Sequence, residues 1–162
     1  MITVSDNDAA NALVKALGNG DASKGMAKVN AYCEKYEYDM THMGRLLLAP
    51  NTKDDNYTSV NDCAHFLEKV YNHSIPGAEK IEQLLLQQKR ISKIPAGIPK
   101  GIKVGNKTGE LSNVENDAAI VYLQDNPYIL CVMSEKLSSS DAARKAIVNL
   151  SKEICIYMKN PY

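Results

Sequence analysis

The chain has no tryptophan and one phenylalanine in 162 residues, so its nine tyrosines are nearly all of its aromatic content. It has no charge excess either. Lys plus Arg is 19 and Asp plus Glu is 19, a formal net charge of zero. That excludes a nucleic-acid binder working through bulk positive charge. Long apolar runs are missing. The longest, Tyr128-Ile129-Leu130-Cys131-Val132-Met133, is far short of a membrane span and suits a buried strand. With 9 Gly and 6 Pro, the composition is neither collagenous nor low-complexity. No signal peptide is visible, because the polar stretch Ser5-Asp6-Asn7-Asp8 starts almost at once. What is present is 44% apolar and 23% charged residues in a length that suits one domain with a sizeable core.

Cys33, Cys63, Cys131 and Cys155 match no zinc spacing. Each sits in an apolar segment, so buried free thiols are expected ahead of disulfides. His42, His65 and His73 form no metal pair at helical spacing, and His65, inside a predicted helix, reads as a packed or surface side chain. No metal or cofactor is expected.

Ala9, Ala10, Leu13, Val14 and Leu17 follow a helical period that Gly18-Asn19-Gly20 stops. Asp21 can cap a second helix with Met26, Val29, Tyr32 and Cys33 facing inward. Residues 36 to 58, with Pro50 and the polar run Asn51 to Asn56, read as a long loop, a feature that is often functional. Ser59 and Asp62 resemble a capping box, opening a helix that carries Val60, Cys63, Phe66, Leu67 and Val70. A fourth helix follows Pro76, with Ile81, Leu84 and Leu85 inside. Three strands are then predicted at Ile102–Lys107, Asp117–Leu123 and Tyr128–Ser134, the last two joined by a hairpin at Asp125-Asn126-Pro127. A helix from about Ser140 to Met158, apolar at Ile147, Leu150, Ile154 and Met158, closes the chain. The expectation is α+β: a helical lobe over 1–100, then a three-stranded antiparallel sheet and a C-terminal helix over 101–162, forming one partial domain.

Two tripeptides stand out. Ser5-Asp6-Asn7 opens the first helix, and Lys107-Thr108-Gly109 ends the first predicted strand. Taken plainly, the first is a helix cap and the second a strand end. Their order and their spacing of 102 residues from Ser5 to Lys107 say more. Together they resemble the penicillin-recognising serine hydrolases: class A β-lactamases and their D-alanyl-D-alanine peptidase relatives. The resemblance extends to Ser5-Asp6-Asn7-Asp8-Ala9-Ala10-Asn11, to the tail from Lys107 to Tyr162, to Thr58–Ala64 after the family's omega loop, and to Asp117–Tyr122 as the next strand.

The resemblance implies acyl-enzyme chemistry on β-lactams or D-Ala-D-Ala peptides. Ser5 would relay a proton to the leaving nitrogen. Lys107 would place positive charge beside Ser5 and attract the substrate carboxylate, which Thr108 would hydrogen-bond. Asn7 would donate to the substrate's side-chain amide. Gly109, lacking a Cβ, would let the substrate backbone lie against the strand. The Glu110 backbone N–H would be one oxyanion donor. The parent would be an exported protein of the bacterial cell envelope or exterior.

Two departures qualify this. The family's nucleophile lies in Ser-x-x-Lys upstream of Ser-Asp-Asn, but only four residues precede Ser5 and no Ser-x-x-Lys occurs in the chain. The chain therefore reads as the C-terminal part of a longer enzyme, inactive alone. The alternatives are a non-catalytic binding or assembly module and a degenerate relic of the fold. Secondly, class A enzymes carry a deacylating Glu in the omega loop. Between Met40 and Ser59 the only acids are Asp54 and Asp55, with Arg45 a candidate omega-loop arginine. That moves the parent towards a penicillin-binding or peptidase-like protein. In the family, strands from the N-terminal segment cover the strand matching Tyr128–Ser134. The expectation is a marginally stable chain that self-associates through this edge or takes up a complementary N-terminal fragment.

Overall fold

Two aspartates begin the first two helices, each by the same device. The Asp6 carboxylate accepts from the Ala9 N–H at 2.8 Å, and that of Asp21 accepts from the Ser23 and Lys24 N–H groups at 2.9 and 3.2 Å. In the computed structural model, which describes residues 1–50 and 53–159, they open α1 (Asn7–Leu17) and α2 (Ala22–Lys35). The chain continues through α3 (Val60–Tyr71), α4 (Ala78–Leu86), the short α5 (Ile94–Gly97), β1 (Lys103–Leu111), β2 (Val114–Tyr122), β3 (Tyr128–Val132) and α6 (Ser140–Lys159). The architecture is the expected α+β. Two of the loop's polar residues, 51 and 52, and the end of the tail, 160–162, lie outside the described residues. The chain forms two compact units: Met1 with Asp6–Asp62, and Ile2–Ser5 with Cys63–Tyr162.

In the first unit α1 packs on α2 where Gly25 meets Val14. A Cβ on Gly25 would stand 1.9 Å from the Val14 carbonyl oxygen, so only glycine allows this approach. Val14, Cys33 and Tyr38 are buried. Tyr32, expected inside, is instead 42% exposed and stacks beside Tyr36 and Tyr38 at ring centroid distances of 4.4 and 6.3 Å. The loop from 36 to 58 is tied by an antiparallel bridge between His42 and Tyr57. The capping box is half formed. The Asp62 N–H donates to Ser59 Oγ at 3.1 Å. The Asp62 carboxylate turns to the loop, accepting from the Met40 N–H at 3.0 Å and the Thr41 hydroxyl at 2.6 Å.

In the second unit the sheet order is β1-β2-β3, all antiparallel. Leu111 pairs with Val114, so Ser112-Asn113 is a two-residue hairpin. Lys107-Thr108-Gly109 therefore lies inside β1 and does not end it, and β2 begins three residues before the predicted Asp117. Strand alternation gives β2 two buried faces. Ile120 joins Leu67, Val70 and Leu85 of α3 and α4 in one cluster. Ala119 and Val121 join Ile94 and Ile147 of α5 and α6 in the other. The helix α6 packs through Ile147, Ser151 and Cys155, while Leu150, one of the predicted helix's apolar positions, is 45% exposed. Ser151 and Cys155 bring small side chains to this face, and the Ser151 hydroxyl donates to the Ile94 carbonyl at 2.8 Å. All four cysteines are free.

Candidate active site

β1 carries Lys107 on the face of the sheet that α3 and α4 cover, since Lys107 pairs with Ala118 and that face holds Ala118 and Ile120. The segment Ile2–Ser5 is held by backbone and side chains just before β1. The Lys89 N–H donates to the Thr3 carbonyl at 2.8 Å, the Gln88 side-chain amide to the Ile2 carbonyl at 3.0 Å, and Arg90 Nε to the Val4 carbonyl at 3.3 Å. Gln88 is buried, and the same nitrogen donates to the Asn106 carbonyl at 3.2 Å. One amide thus ties the residues that lead to Ser5 to the residue before Lys107.

The result is a contact between residues 102 apart: Lys107 Nζ donates to Ser5 Oγ at 2.7 Å. Lys107 also donates to the Thr108 carbonyl. Ser5 has φ of 57°, in the left-handed region. A non-glycine residue there costs on the order of 1–2 kcal/mol, and such outliers cluster at functional sites. Burial pushes the Lys107 ammonium below the ordinary lysine range. Arg90 and Lys93 push the same way, against Asp117 and Glu110.

The opposite face of the same strands is a buried ionic network. Asn106, Thr108 and Glu110 alternate with Lys107 and pair with Ala119, Asp117 and Glu115 of β2. Lys93, fully buried, lies 2.7 Å from Glu115 Oε2 and 3.2 Å from Glu110 Oε1, and donates to the Asn116 and Gly109 carbonyls at 2.9 and 3.3 Å. Arg144 of α6 adds Nε and a terminal nitrogen at 2.9 and 2.8 Å from Glu115 Oε1. Burial pushes the Glu115 carboxyl up, but the hydrogen bonds from Arg144 and Lys93 outweigh it and hold it below the usual range. Asp117, 2% exposed, accepts from the Asn106 side chain at 2.9 Å and the Ile94 N–H at 3.0 Å.

Burial nevertheless pushes the Asp117 carboxyl from 3.8 up to about 6, against those hydrogen bonds and the Lys93 charge. The folded chain then holds a proton that the unfolded chain has released between these values. Asp117's contribution to stability is complete below the lower pKa and is lost as the pH rises through the upper one. A shift of that size corresponds to roughly 3 kcal/mol. Urea unfolding of the unaltered chain and of Asp117→Asn at pH 5 and pH 7 should show the unaltered chain losing ground to the variant at the higher pH. A difference independent of pH would contradict this.

The remaining sequence-predicted residues are placed as follows. Thr108 is buried, at 5% exposure. A Cβ on Gly109 would meet only Asn116, at 3.6 Å, so the fold itself does not require glycine there. Glu115 directs both its N–H and its carbonyl to Ser134, on the β3 side. In an antiparallel ladder Asn116 therefore faces Gly109, and the Glu110 N–H points away from β2 to the open edge of β1. Asn7 is the first residue of α1, in the first unit. In that unit's loop Arg45 Nε holds Asp55 at 2.6 Å, and its hydrogen bond keeps the Asp55 carboxyl below the usual range. Asp54 lies 2.7 Å from His42 Nε2. Sequence reasoning missed Lys93, Gln88 and Asn106. Lys93, in Ser92-Lys93-Ile94-Pro95, has no pattern that marks a lysine as buried.

The helices, the antiparallel sheet and its C-terminal helix define the fold of the penicillin-recognising serine hydrolases. The chain belongs to the beta-lactamase enzyme family, whose model matches residues 1–158. Among solved structures it is similar to PBP-A, at 24% identity and a TM-score of 0.85, covering 98% of this chain and 58% of that one. A mutant of PBP-A in an acyl-enzyme complex with penicillin G gives the same identity and TM-score, with 98% and 59% covered. A β-lactamase from Streptosporangium roseum is 26% identical with a TM-score of 0.79, covering 98% of this chain and 62% of that one. The chain thus spans about three fifths of the length of these structures. No curated protein matches the chain in sequence.

Proposed function

We propose that the chain supplies the proton-relay and substrate-anchoring half of a serine acyl-transferase acting on β-lactams or D-Ala-D-Ala peptides, the nucleophile being supplied from outside these 162 residues. The observation that carries this is the 2.7 Å contact from Lys107 Nζ to Ser5 Oγ. Beside a cation the Ser5 hydroxyl is poised to hand its proton to the leaving nitrogen as the acyl C–N bond breaks. The Lys107 charge draws the substrate carboxylate, which Thr108 hydrogen-bonds. Asn7 is assigned the substrate's side-chain amide. The Glu110 N–H, at the open edge, is one donor to the developing oxyanion. The space a Cβ would take at Gly109 is left for the substrate backbone. A mutant of PBP-A, similar in fold to this chain, is an acyl-enzyme complex with penicillin G.

The loop supports acylation without fast turnover. Both acids between Met40 and Ser59 are engaged, Asp55 by Arg45 and Asp54 by His42, and neither stands free to activate a deacylating water. The isolated 162-residue chain should form no stable adduct with a fluorescent penicillin, because Ser5 has a relay role and not an attacking one. A covalent adduct on this chain alone would refute the assignment.

The strand β3 bears on partners. It is one edge of the sheet, and Ile129, Leu130, Cys131 and Val132 interrupt it with neither Lys nor Pro. Beyond Val132, Ser134 stays attached to β2, its N–H donating to the Asn116 side chain at 2.9 Å. Such an edge pairs readily with a further strand. Light scattering across a concentration series should show the isolated chain self-associating, or becoming monomeric when a complementary N-terminal fragment is added. A stable, cooperative monomer at high concentration would count against this.

A further inference from the structure

We propose that Lys93 is a positioning residue that orients and polarises the Gly109–Glu110 peptide from the sheet face opposite Ser5. This rests on the reading of the Glu110 N–H as an oxyanion donor.

Lys93 is fully buried, yet it neutralises no single acid. Its Nζ meets two carboxylates, Glu115 and Glu110, and two backbone carbonyls, those of Asn116 and Gly109. The carbonyls are the informative pair. Asn116 and Gly109 face each other across β1 and β2, and both already belong to the strand ladder. A carbonyl oxygen has a second lone pair, and the ammonium takes it.

The Gly109 carbonyl and the Glu110 N–H are the two ends of one planar peptide unit. They point in opposite directions across the strand, the carbonyl to β2 and the N–H to the open edge. A cation on the carbonyl draws electron density from the N–H and makes it a stronger donor, as in any chain of polarised hydrogen bonds. The ion pair from Lys93 to Glu110 restrains the same residue through its side chain. Arg90, 3.8 Å from the other Glu110 oxygen, adds a second restraint. The donor is therefore held before any substrate arrives, as electrostatic stabilisation of an oxyanion demands. Thr108 provides the internal control. Its N–H also points to the open edge, but the carbonyl of its peptide unit belongs to Lys107, which Lys93 does not touch.

The test is nuclear magnetic resonance of the isotope-labelled 162-residue chain. In Lys93→Met the Glu110 amide proton should move upfield and the Gly109 carbonyl carbon with it, while the Thr108 amide proton stays in place. Lys93→Arg should restore most of the Glu110 shift. Equal movement of Thr108 and Glu110, or movement of neither, would overturn the proposal. If Lys93→Met does not fold, the unaltered chain decides. A through-hydrogen-bond coupling from Lys93 Nζ to the Gly109 carbonyl carbon is expected, and a coupling to the Asn116 carbonyl carbon alone would overturn it. The readout concerns the peptide and not turnover. A Glu110 N–H that serves no oxyanion would leave the result standing, and the failure of one reading is distinguishable from that of the other.

Discussion

Replacing Lys93 by methionine is expected to lower stability by about 3–5 kcal/mol, the usual effect of leaving one member of a buried ion pair behind. Glu115 is 1% exposed and, among the described residues, would keep Arg144 alone as a charged partner. That remaining pair puts the expected loss at the lower end of the range. The double variant Lys93→Met with Glu115→Leu removes both charges and should be less destabilised than the single Lys93→Met. Urea unfolding of the unaltered chain, the two single variants Lys93→Met and Glu115→Leu, and the double variant measures this. A double variant as unstable as the sum of the two single changes would show that the pair is not the reason Lys93 is buried.

Replacing Ser5 by alanine should have the largest effect on chemistry. When the chain is joined to or mixed with an N-terminal segment carrying Ser-x-x-Lys, the acylation rate with a fluorescent penicillin should fall by roughly 10²–10⁴-fold, the range of a lost general acid. Fold stability should change little, because the Ser5 side chain is only partly buried. Ser5→Gly should be as slow as Ser5→Ala but more stable by on the order of 1 kcal/mol, since glycine accepts the left-handed backbone at that position. Unchanged acylation in both variants would remove Ser5 from the relay.

The five longer helices were legible because their ends are local, while the four-residue α5 was not. Asp21 and Gly18 bound α1 and α2 through cap chemistry that acts over three or four residues. Their buried faces were less so. Ser151 carries part of the packing of α6 and is not read as apolar in a helical period, while Leu150, which is, stands 45% exposed. The start of β2 was hidden for a related reason. Glu115, a charged residue ahead of the apolar run, gives no strand signal, whereas Lys93 and Arg144 make its burial tolerable from distant parts of the chain. At the site, Ser5 and Lys107 are marked by residue type and order. Gln88 and Lys93 act by hydrogen bonds across 86 and 16 residues, and nothing in their neighbours announces that.

The central claim, that this chain is the relay half of an acylating enzyme, is tested most directly by labelling with a fluorescent penicillin. The 162-residue chain is incubated alone and together with an N-terminal segment bearing Ser-x-x-Lys, and the modified residue is located by mass spectrometry. The account predicts label in the mixture only, on the serine of the added segment, and its loss when Lys107 is replaced by alanine. Label on the 162-residue chain itself, or a folded mixture that takes up none, would contradict it.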